Sequence, residues 1–271
     1  MKTRVIVGVI CVPALAVVVF FLPPVVLGVL FGILSAIGVW ELFHCMLPQL
    51  NPRIPVIAGL FSMVLPISVS LKGSDLWADA AFFLLLMYLF GELMLSFRRD
   101  ETLSWTLPAV GMMAGYVFPF CLTSIIRLES MGKAYVALPF LVAFASDSCA
   151  YFAGVFLGRH KLVPRLSPKK TIEGSAGGFI GTAVVLLLYG LGLRALHYQV
   201  SFGILAIYGI LGSFACQFGD LSFSAMKRIG GIKDYGNLIP GHGGVYDRFD
   251  GMVFVALLME LLLRWVPAIV G

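Results

Sequence analysis

The sequence has few charged residues: only 12% of its 271 residues are Asp, Glu, Lys or Arg, whereas a soluble domain has about 25%. Apolar residues make up 60% of the chain. So few ionic side chains exclude a water-soluble domain, and so many apolar ones exclude a disordered chain. We therefore predict an integral membrane protein.

Several familiar catalytic motifs are absent. The chain has no GxxxxGK[ST], GxSxG or HExxH pattern, so a P-loop ATPase, a serine hydrolase and a zinc protease are unsupported. Metal-type cysteine spacing is also missing, and we expect the five cysteines to be free and buried. They are Cys11, Cys45, Cys121, Cys149 and Cys216.

What the chain does have is a series of long apolar stretches, each about 20 residues long as a membrane-spanning helix requires. We predict an all-α polytopic membrane protein with about nine transmembrane helices. The first stretch resembles a signal peptide but lacks a small-residue cleavage site, so we interpret it as a retained helix. The predicted spans are roughly 5–22, 25–47, 54–71, 76–96, 105–125, 135–158, 177–196, 201–221 and 251–270.

The basic residues predict the orientation of these spans. Fourteen of the 19 Lys and Arg residues fall on the side of the amino terminus, and basic residues beside spans stay cytoplasmic. We therefore expect a cytoplasmic amino terminus in a multi-pass protein of the cytoplasmic (inner) membrane. The opposite side has Lys72, Arg127, Lys133, Arg194 and Arg264.

Polar residues are concentrated in the second half of the chain. We predict a scaffold of about five helices over residues 1–134 and a catalytic region over 135–271. The catalytic region contains two polar loops, 159–176 and 222–250. A pair of spans separates these loops, so both emerge on the same, cytoplasmic side.

Four carboxylates fall within predicted spans, where each costs about 2.5 to 3.5 kcal/mol at the centre of the membrane. We expect Glu41 and Glu92, near cytoplasmic span ends, to reach water. Asp147 shares a helix face with Tyr151, Gly154 and Gly158, and the glycines indicate close packing within one chain or between two, so a homodimer is one alternative. Asp220 is predicted to share a face with a hydroxyl and two cations of the polar loop, namely Ser224, Lys227 and Arg228.

These residue types suit a particular chemistry. Aspartates such as Asp220, Asp234, Asp247 and Asp250 are good ligands for Mg²⁺. Lys and Arg bind phosphate oxygens, and backbone N–H groups between Gly241 and Gly244 could form an anion-binding nest. His242 is either a structural hydrogen bonder or a phosphate ligand. The residues alone thus indicate a metal-dependent membrane enzyme that handles phosphates.

Residues 224–250 resemble the signature of the phosphatidate cytidylyltransferases, also called CDP-diacylglycerol synthases. A second stretch, 147–178, resembles the upstream region of that family. The chain departs from the family pattern at Phe223, where Glu is common, and at Ile172, where an aromatic residue is common. The matching signature residues are Ser224, Lys227, Arg228, Lys233, Asp234, His242, Gly243, Gly244, Asp247, Arg248 and Asp250.

The resemblance implies that CTP and phosphatidic acid react to give CDP-diacylglycerol and pyrophosphate in the lipid bilayer, with no role for nucleic acid. Mg²⁺ is the implied cofactor, and a second cation is left open. We expect Asp220 and Asp247 to be the principal metal ligands, with Asp250 and Asp147 as weaker candidates. An alternative role for Asp250 is to cap the last helix, whose amino terminus it is expected to precede.

The remaining signature residues receive roles in catalysis and in substrate binding. The expected catalytic set is Asp220, Lys227, Arg228, Lys233, Asp234, His242, Asp247 and Arg248. The expected substrate-binding set is Ser167, Lys169, Lys170, Thr171, Ser224, Gly243 and Gly244. Two rival functions are a CTP-dependent lipid kinase, which would release CDP, and a transporter that uses Asp147 and Asp220.

Overall fold

The computed structural model describes residue 17 and residues 19–72, 75–98, 104–236 and 243–270. The chain forms two compact units. The first comprises Met1–Ser130 and Ile229–Arg248, and the second comprises Met131–Arg228 and Phe249–Gly271. Residues 229–248 belong to the first unit, although they lie far along the sequence.

The first unit is helical. Its elements are α1 (Pro24–Met46), α2 (Arg53–Ser70), α3 (Asp75–Arg98), α4 (Thr106–Met112), a π-helical segment (Met113–Val117) and α5 (Phe118–Met131). Pro24 begins α1, where a proline loses no helical hydrogen bond. Pro119 has no N–H to donate to the preceding turn, which explains the widened π-helical segment just before it.

Helices α1 and α2 pack closely because small residues line their contact. A Cβ atom at Gly28 would lie 2.1 Å from Ser70 Oγ, and one at Gly59 would lie 3.4 Å from the carbonyl oxygen of Ala36. Such close approach is typical of helices that associate in lipid. Arg53 at the start of α2 pairs with Glu92 of α3 through two bonds of 2.9 and 2.8 Å. The pair fixes the ends of these two helices.

The second unit combines long helices with two small antiparallel sheets. Its elements are α6 (Lys133–Leu157), β1 (Lys161–Val163), β2 (Ser167–Thr171), α7 (Ile172–Ala195), β3 (Gln199–Val200), α8 (Phe202–Ile229), α9 (Tyr246–Trp265, in this unit from Phe249) and β4 (Ile269–Val270). Strand β1 pairs with β2, with Lys161 opposite Thr171, and β3 pairs with β4. Helix α6 exposes Phe152, Val155 and Phe156, as a helix that faces lipid should.

Small residues also bring the helices of this unit together. A Cβ atom at Gly177 of α7 would lie 2.2 Å from the Cβ of Ala153 in α6. One at Gly209 of α8 would lie 2.5 Å from Ala183 Cα in α7, and one at Gly219 would lie 2.5 Å from the carbonyl oxygen of Asp250 in α9. Glycine at these positions therefore allows four helix backbones to approach one another.

Seven helices in the described part of the chain are long and apolar enough to cross a membrane, which makes this a multi-pass membrane protein. They coincide with the second to eighth predicted spans. The first predicted span, 5–22, lies mostly outside the described residues. Helix α9 coincides with the ninth but is not among the seven; it includes Asp247, Arg248, Asp250, Glu260 and Arg264.

The expected loops are shorter in the structure than in the prediction. Within residues 159–176, strands β1 and β2 form a β-hairpin, and α7 already begins at Ile172. Helix α8 continues to Ile229, so Ser224, Lys227 and Arg228 are helical. Four of the cysteines are free, as expected, with Cys45 and Cys216 buried and Cys121 and Cys149 half-buried. Cys11 lies outside the described residues.

Candidate active site

Three carboxylates of the second unit lie close enough to interact electrostatically. Asp147 on α6 and Asp250 on α9 each interact with Asp220 on α8, and they also repel each other. The Sγ atom of Cys216 lies 3.7 Å from Asp147 Oδ1. Like charges in a medium of low dielectric repel strongly, so this cluster favours a nearby cation.

A cavity of about 480 Å³ lies beside this cluster, within the second unit. It brings together expected site residues from α6, from the hairpin and from α8. Ser175 of α7 and Gln217 of α8 also line it. The expected residues in its wall are Asp147, Lys169, Lys170, Thr171 and Asp220, and Tyr151 lines it too. The cavity is therefore bordered by cationic, acidic and apolar side chains, Val155 among the apolar ones.

The hairpin places its lysines by hydrogen bonds at its base. Glu173 in the first turn of α7 accepts the backbone N–H of Arg159 (3.0 Å), and Ile172 donates its N–H to the carbonyl oxygen of His160 (2.9 Å). Thr171 is the N-cap of α7: its Oγ1 accepts the N–H of Gly174 at 3.1 Å. These contacts present Lys170 to Asp220, with which it forms an ion pair.

The remaining expected residues of the second unit lie on the hairpin or along α8. Ser167 begins strand β2. Ser224 Oγ donates to Asp220 Oδ1 at 3.3 Å, as the four-residue spacing predicts. Lys227, one turn further, interacts electrostatically with Asp250. Arg228 follows it in the last turn of the helix. The end of α8 therefore supplies one carboxylate, one hydroxyl and two cations in succession.

The first unit contains the rest of the signature. Asp247, in the first turn of α9, accepts through Oδ2 the N–H of Tyr235 at 2.8 Å and that of Gly244 at 2.9 Å. Because Gly244 donates to Asp247, this N–H is already used within the chain. Gly243 has a φ of +85°, which favours glycine. Arg248 directly follows Asp247 in the helix.

Asp234 lies in a second cavity of about 370 Å³, also in the first unit. His44 and Cys45 at the end of α1 and Tyr235 of the loop line the same cavity. Lys233 is exposed next to Asp234. His242 and Gly241 lie outside the described residues.

Two expectations from the sequence are wrong. Asp250 does not precede the last helix, because α9 begins at Tyr246 and Asp250 lies in its second turn, where its Oδ1 accepts the N–H of Gly251 at 2.8 Å. Glu41 and Glu92 do not reach water: they are 5% and 7% exposed. Both carboxylates instead have partners within the protein.

A polar network that reaches the cavity wall was not expected from the sequence. Ser146 and Ser213 share a hydrogen bond of 2.8 Å, and Gln217 Nε2 donates to Ser213 Oγ at 3.1 Å. Ser175 Oγ donates to Gln217 Oε1 at 2.5 Å. The network joins α6, α7 and α8 through residues adjacent to Asp147 and one turn before Asp220. The sequence does contain one indication of this network: Gln217 is a polar residue inside a predicted span, three positions before Asp220.

The carboxylate oxygens of this cluster are of the ligand type that a hard cation binds. Carboxylate oxygens are what Mg²⁺ prefers, and Mg²⁺ is usually bound by one or two carboxylates together with water and substrate phosphates. Over the ranges that the structure describes, no three His, Cys, Asp or Glu side chains are grouped to hold a metal without such help. The cluster around Asp220 therefore fits a metal that substrate phosphates help to bind.

Comparison with known proteins relates the chain to a family. A sequence model described as "Cytidylyltransferase family" matches residues 2–266. Three relatives named phosphatidate cytidylyltransferase are 35% identical over 243 residues (Staphylococcus aureus), 39% over 154 residues (Staphylococcus saprophyticus) and 41% over 135 residues (Staphylococcus haemolyticus). These matches cover 86%, 53% and 50% of this chain. The chain spans 78% of the length of the first relative but only 58% and 51% of the other two. Because the family model matches nearly all of the sequence, the chain belongs to the cytidylyltransferase family.

Proposed function

We propose that this protein is a phosphatidate cytidylyltransferase that converts CTP and phosphatidic acid into CDP-diacylglycerol and pyrophosphate. The observation that carries the proposal is the cavity of the second unit, where Lys169 and Lys170 lie beside Asp147 and Asp220 in a chain of this family. Cations next to clustered carboxylates suit a polyphosphate that binds together with a metal.

The proposed reaction is a direct in-line displacement. A phosphate monoester carries about 1.5 to 2 negative charges at neutral pH, so the lipid phosphate is itself a nucleophile and no general base is required. Its oxygen forms a bond to the α-phosphorus of CTP, and the bond from that phosphorus to the bridging oxygen of the β-phosphate breaks. Pyrophosphate leaves, and the protein's task is to position and neutralise these anions.

The basic residues are proposed to neutralise the phosphates, and the other site residues to complete the contacts. Lys169 and Lys170 are proposed to bind the phosphates of one substrate, with Lys227, Arg228, Lys233 and Arg248 serving either one. Ser167, Ser224, Thr171, Gly243 and Gly244 are proposed to complete the substrate contacts, and Asp234 and His242 to complete the catalytic set. Even two unit charges 4 Å apart repel by about 4 kcal/mol at an effective dielectric constant of 20, so bringing two phosphates together needs several cations.

Mg²⁺ is the proposed cofactor, held by Asp220 and Asp247 with Asp147 and Asp250 as further candidates. When bound, it polarises the α-phosphate and stabilises the departing pyrophosphate. Asp220 would need to exchange its ion pair with Lys170 for the metal, which would release Lys170 to a substrate phosphate. A second cation would reduce the repulsion within the carboxylate cluster further.

The proposed setting is the cytoplasmic membrane, with nine spans and with the amino terminus and polar loops on the cytoplasmic side, where CTP is present. The excess of basic residues on that side supports this orientation. Gly154 and Gly158 contact Thr171 of the same chain, so this pair supports intrachain packing more than the proposed alternative of a homodimer.

Labelled CTP tests the proposed function. Purified protein in detergent receives phosphatidic acid, Mg²⁺ and CTP labelled at the α- or the γ-phosphate. We expect α-label in the lipid and γ-label in pyrophosphate, no reaction with a chelator, and at least about a hundredfold loss of rate in Asp220→Asn. Asp79→Asn, which removes an exposed carboxylate of α3, is the control. In a parallel reaction with diacylglycerol, γ-label in the lipid would establish the rival lipid kinase. Protein reconstituted in sealed vesicles that moves a solute while CTP stays intact would establish a transporter.

A further inference from the structure

Glu41 of α1 is a buried carboxylate that binds the start of a helix far away in sequence. Its Oε1 accepts the N–H of Val245 at 3.0 Å, and its Oε2 accepts the N–H of Tyr246 at 3.3 Å. Val245 and Tyr246 lie where α9 begins. The first N–H groups of a helix have no partner within it and carry partial positive charge, so a carboxylate there satisfies both needs.

The loop is shaped around this carboxylate. A Cβ atom at Gly244 would lie 2.3 Å from Glu41 Oε1, and one at Gly236 would lie 2.6 Å from the same atom. No side chain fits in that space, so glycine at both positions allows the backbone to contact the carboxyl group. Asp247 Oδ2 adds two more bonds, to the N–H groups of Tyr235 and Gly244. Two carboxylates therefore hold the signature segment on both sides of residues 237–242.

Burial of a carboxylate in a membrane-spanning helix is costly unless the charge is satisfied. In the part of the chain that the structure describes, no Lys, Arg or His forms an ion pair with Glu41; its partners are the two backbone N–H groups. Because both oxygens already accept hydrogen bonds and the side chain is buried, Glu41 acts on the loop and not on a substrate.

We propose that Glu41 is a positioning residue: it fixes residues 243–247 and thereby the placement of Asp247, and the proposed transfer reaction depends on it. The inference rests on the proposed function for its catalytic part. Its structural part, the anchoring of the loop, stands without any substrate.

Hydrogen exchange and turnover together test this role. Glu41→Gln keeps the shape of the side chain, but its amide group replaces one acceptor by a donor that faces a backbone N–H. We expect amide exchange of Val245 and Tyr246 in the substrate-free protein to be at least about tenfold faster. We also expect at least about a tenfold lower kcat, with a smaller change in the KM for phosphatidic acid.

Glu92→Gln is the matched control, because it removes a buried carboxylate of the same unit that pairs with Arg53 of α2. We expect it to leave amide exchange at residues 243–247 unchanged, even if it lowers the unfolding temperature. A Glu41→Gln protein with slow exchange, or one with fast exchange and full turnover, would overturn the proposal. If exchange responds as expected but the unaltered protein makes no CDP-diacylglycerol, the proposed function fails while the anchor stands.

A double-mutant cycle gives an independent test. Gly244→Ala should lower kcat at least about tenfold in the otherwise unaltered chain, because the new methyl group meets the carboxylate. In a Glu41→Ala background the same substitution should cost less than about threefold, because the carboxylate is gone. Additive effects would contradict the proposal. If neither Glu41 variant folds, Gly236→Ala and Gly244→Ala keep the carboxylate and carry the same expectation of faster exchange at Val245 and Tyr246, and unchanged exchange there would overturn the proposal.

Discussion

The ammonium group of Lys170 forms an ion pair with Asp220, joining the end of strand β2 to helix α8 across 50 positions of sequence. Both side chains are partly accessible, at 26% and 30% exposure, and both line the larger cavity. The pair partly neutralises a carboxylate that repels Asp147 and Asp250. It also keeps a lysine next to the place where a substrate phosphate is proposed to bind.

Removal of the Lys170 charge should therefore weaken catalysis more than it weakens the fold. We expect Lys170→Met to lower kcat/KM for CTP by at least about tenfold, because a phosphate loses its cation and the carboxylates lose their partner. Arg165→Met removes an exposed charge of the same hairpin that does not line the cavity. Steady-state kinetics measures kcat/KM for CTP in both variants. Equal losses of kcat/KM in the two would contradict a specific role for Lys170.

The two possible roles of Asp247, as loop anchor and as metal ligand, can be separated by two substitutions. Asn keeps an oxygen that accepts the N–H groups of Tyr235 and Gly244 but has no charge, whereas Ala removes both. We expect Asp247→Asn to keep slow amide exchange in the loop and to lose at least about a hundredfold in kcat. In Asp247→Ala we expect fast amide exchange in the loop as well as the loss of kcat. Near-normal turnover of the Asn variant would exclude Asp247 as a metal ligand.

Thr171 has a structural role that the sequence did not predict, because it caps α7. Thr171→Val removes the oxygen that accepts the N–H of Gly174 and should lower the free energy of unfolding by about 1 kcal/mol. Thr171→Ser keeps that oxygen and should be nearly neutral. Denaturant titration in detergent measures both changes. A valine variant as stable as the unaltered chain would show that the cap contributes nothing.

The spans could be predicted from sequence because length and apolarity alone decide whether a helix can cross a membrane. Their ends could not, because helices continue beyond the apolar run. Residues 222–229 look like a loop by polarity, yet α8 carries Ser224 and Lys227 through them. The helical spacing from Asp220, in contrast, correctly predicted the contact with Ser224.

Contacts between distant segments were beyond the reach of local patterns. Glu41 lies 204 positions from Val245, and nothing near either residue indicates the other. Arg53 and Glu92, 39 positions apart, likewise gave no local sign of their pairing. In both cases a carboxylate near the end of a span looked solvated, although a distant partner satisfies it.

The hydrogen bonds among Ser146, Ser175, Ser213 and Gln217 bear on how the protein is made. Gln217 is the last of these four residues to be synthesised, so its helix leaves the ribosome after α6 and α7 already present their hydroxyl groups. Each such bond between helices contributes only about 0.6 kcal/mol on average in lipid. Synthesis in this order means that the amide of Gln217 enters the bilayer when hydrogen-bond partners on α6 and α7 are already there, which lowers the cost of placing it among acyl chains.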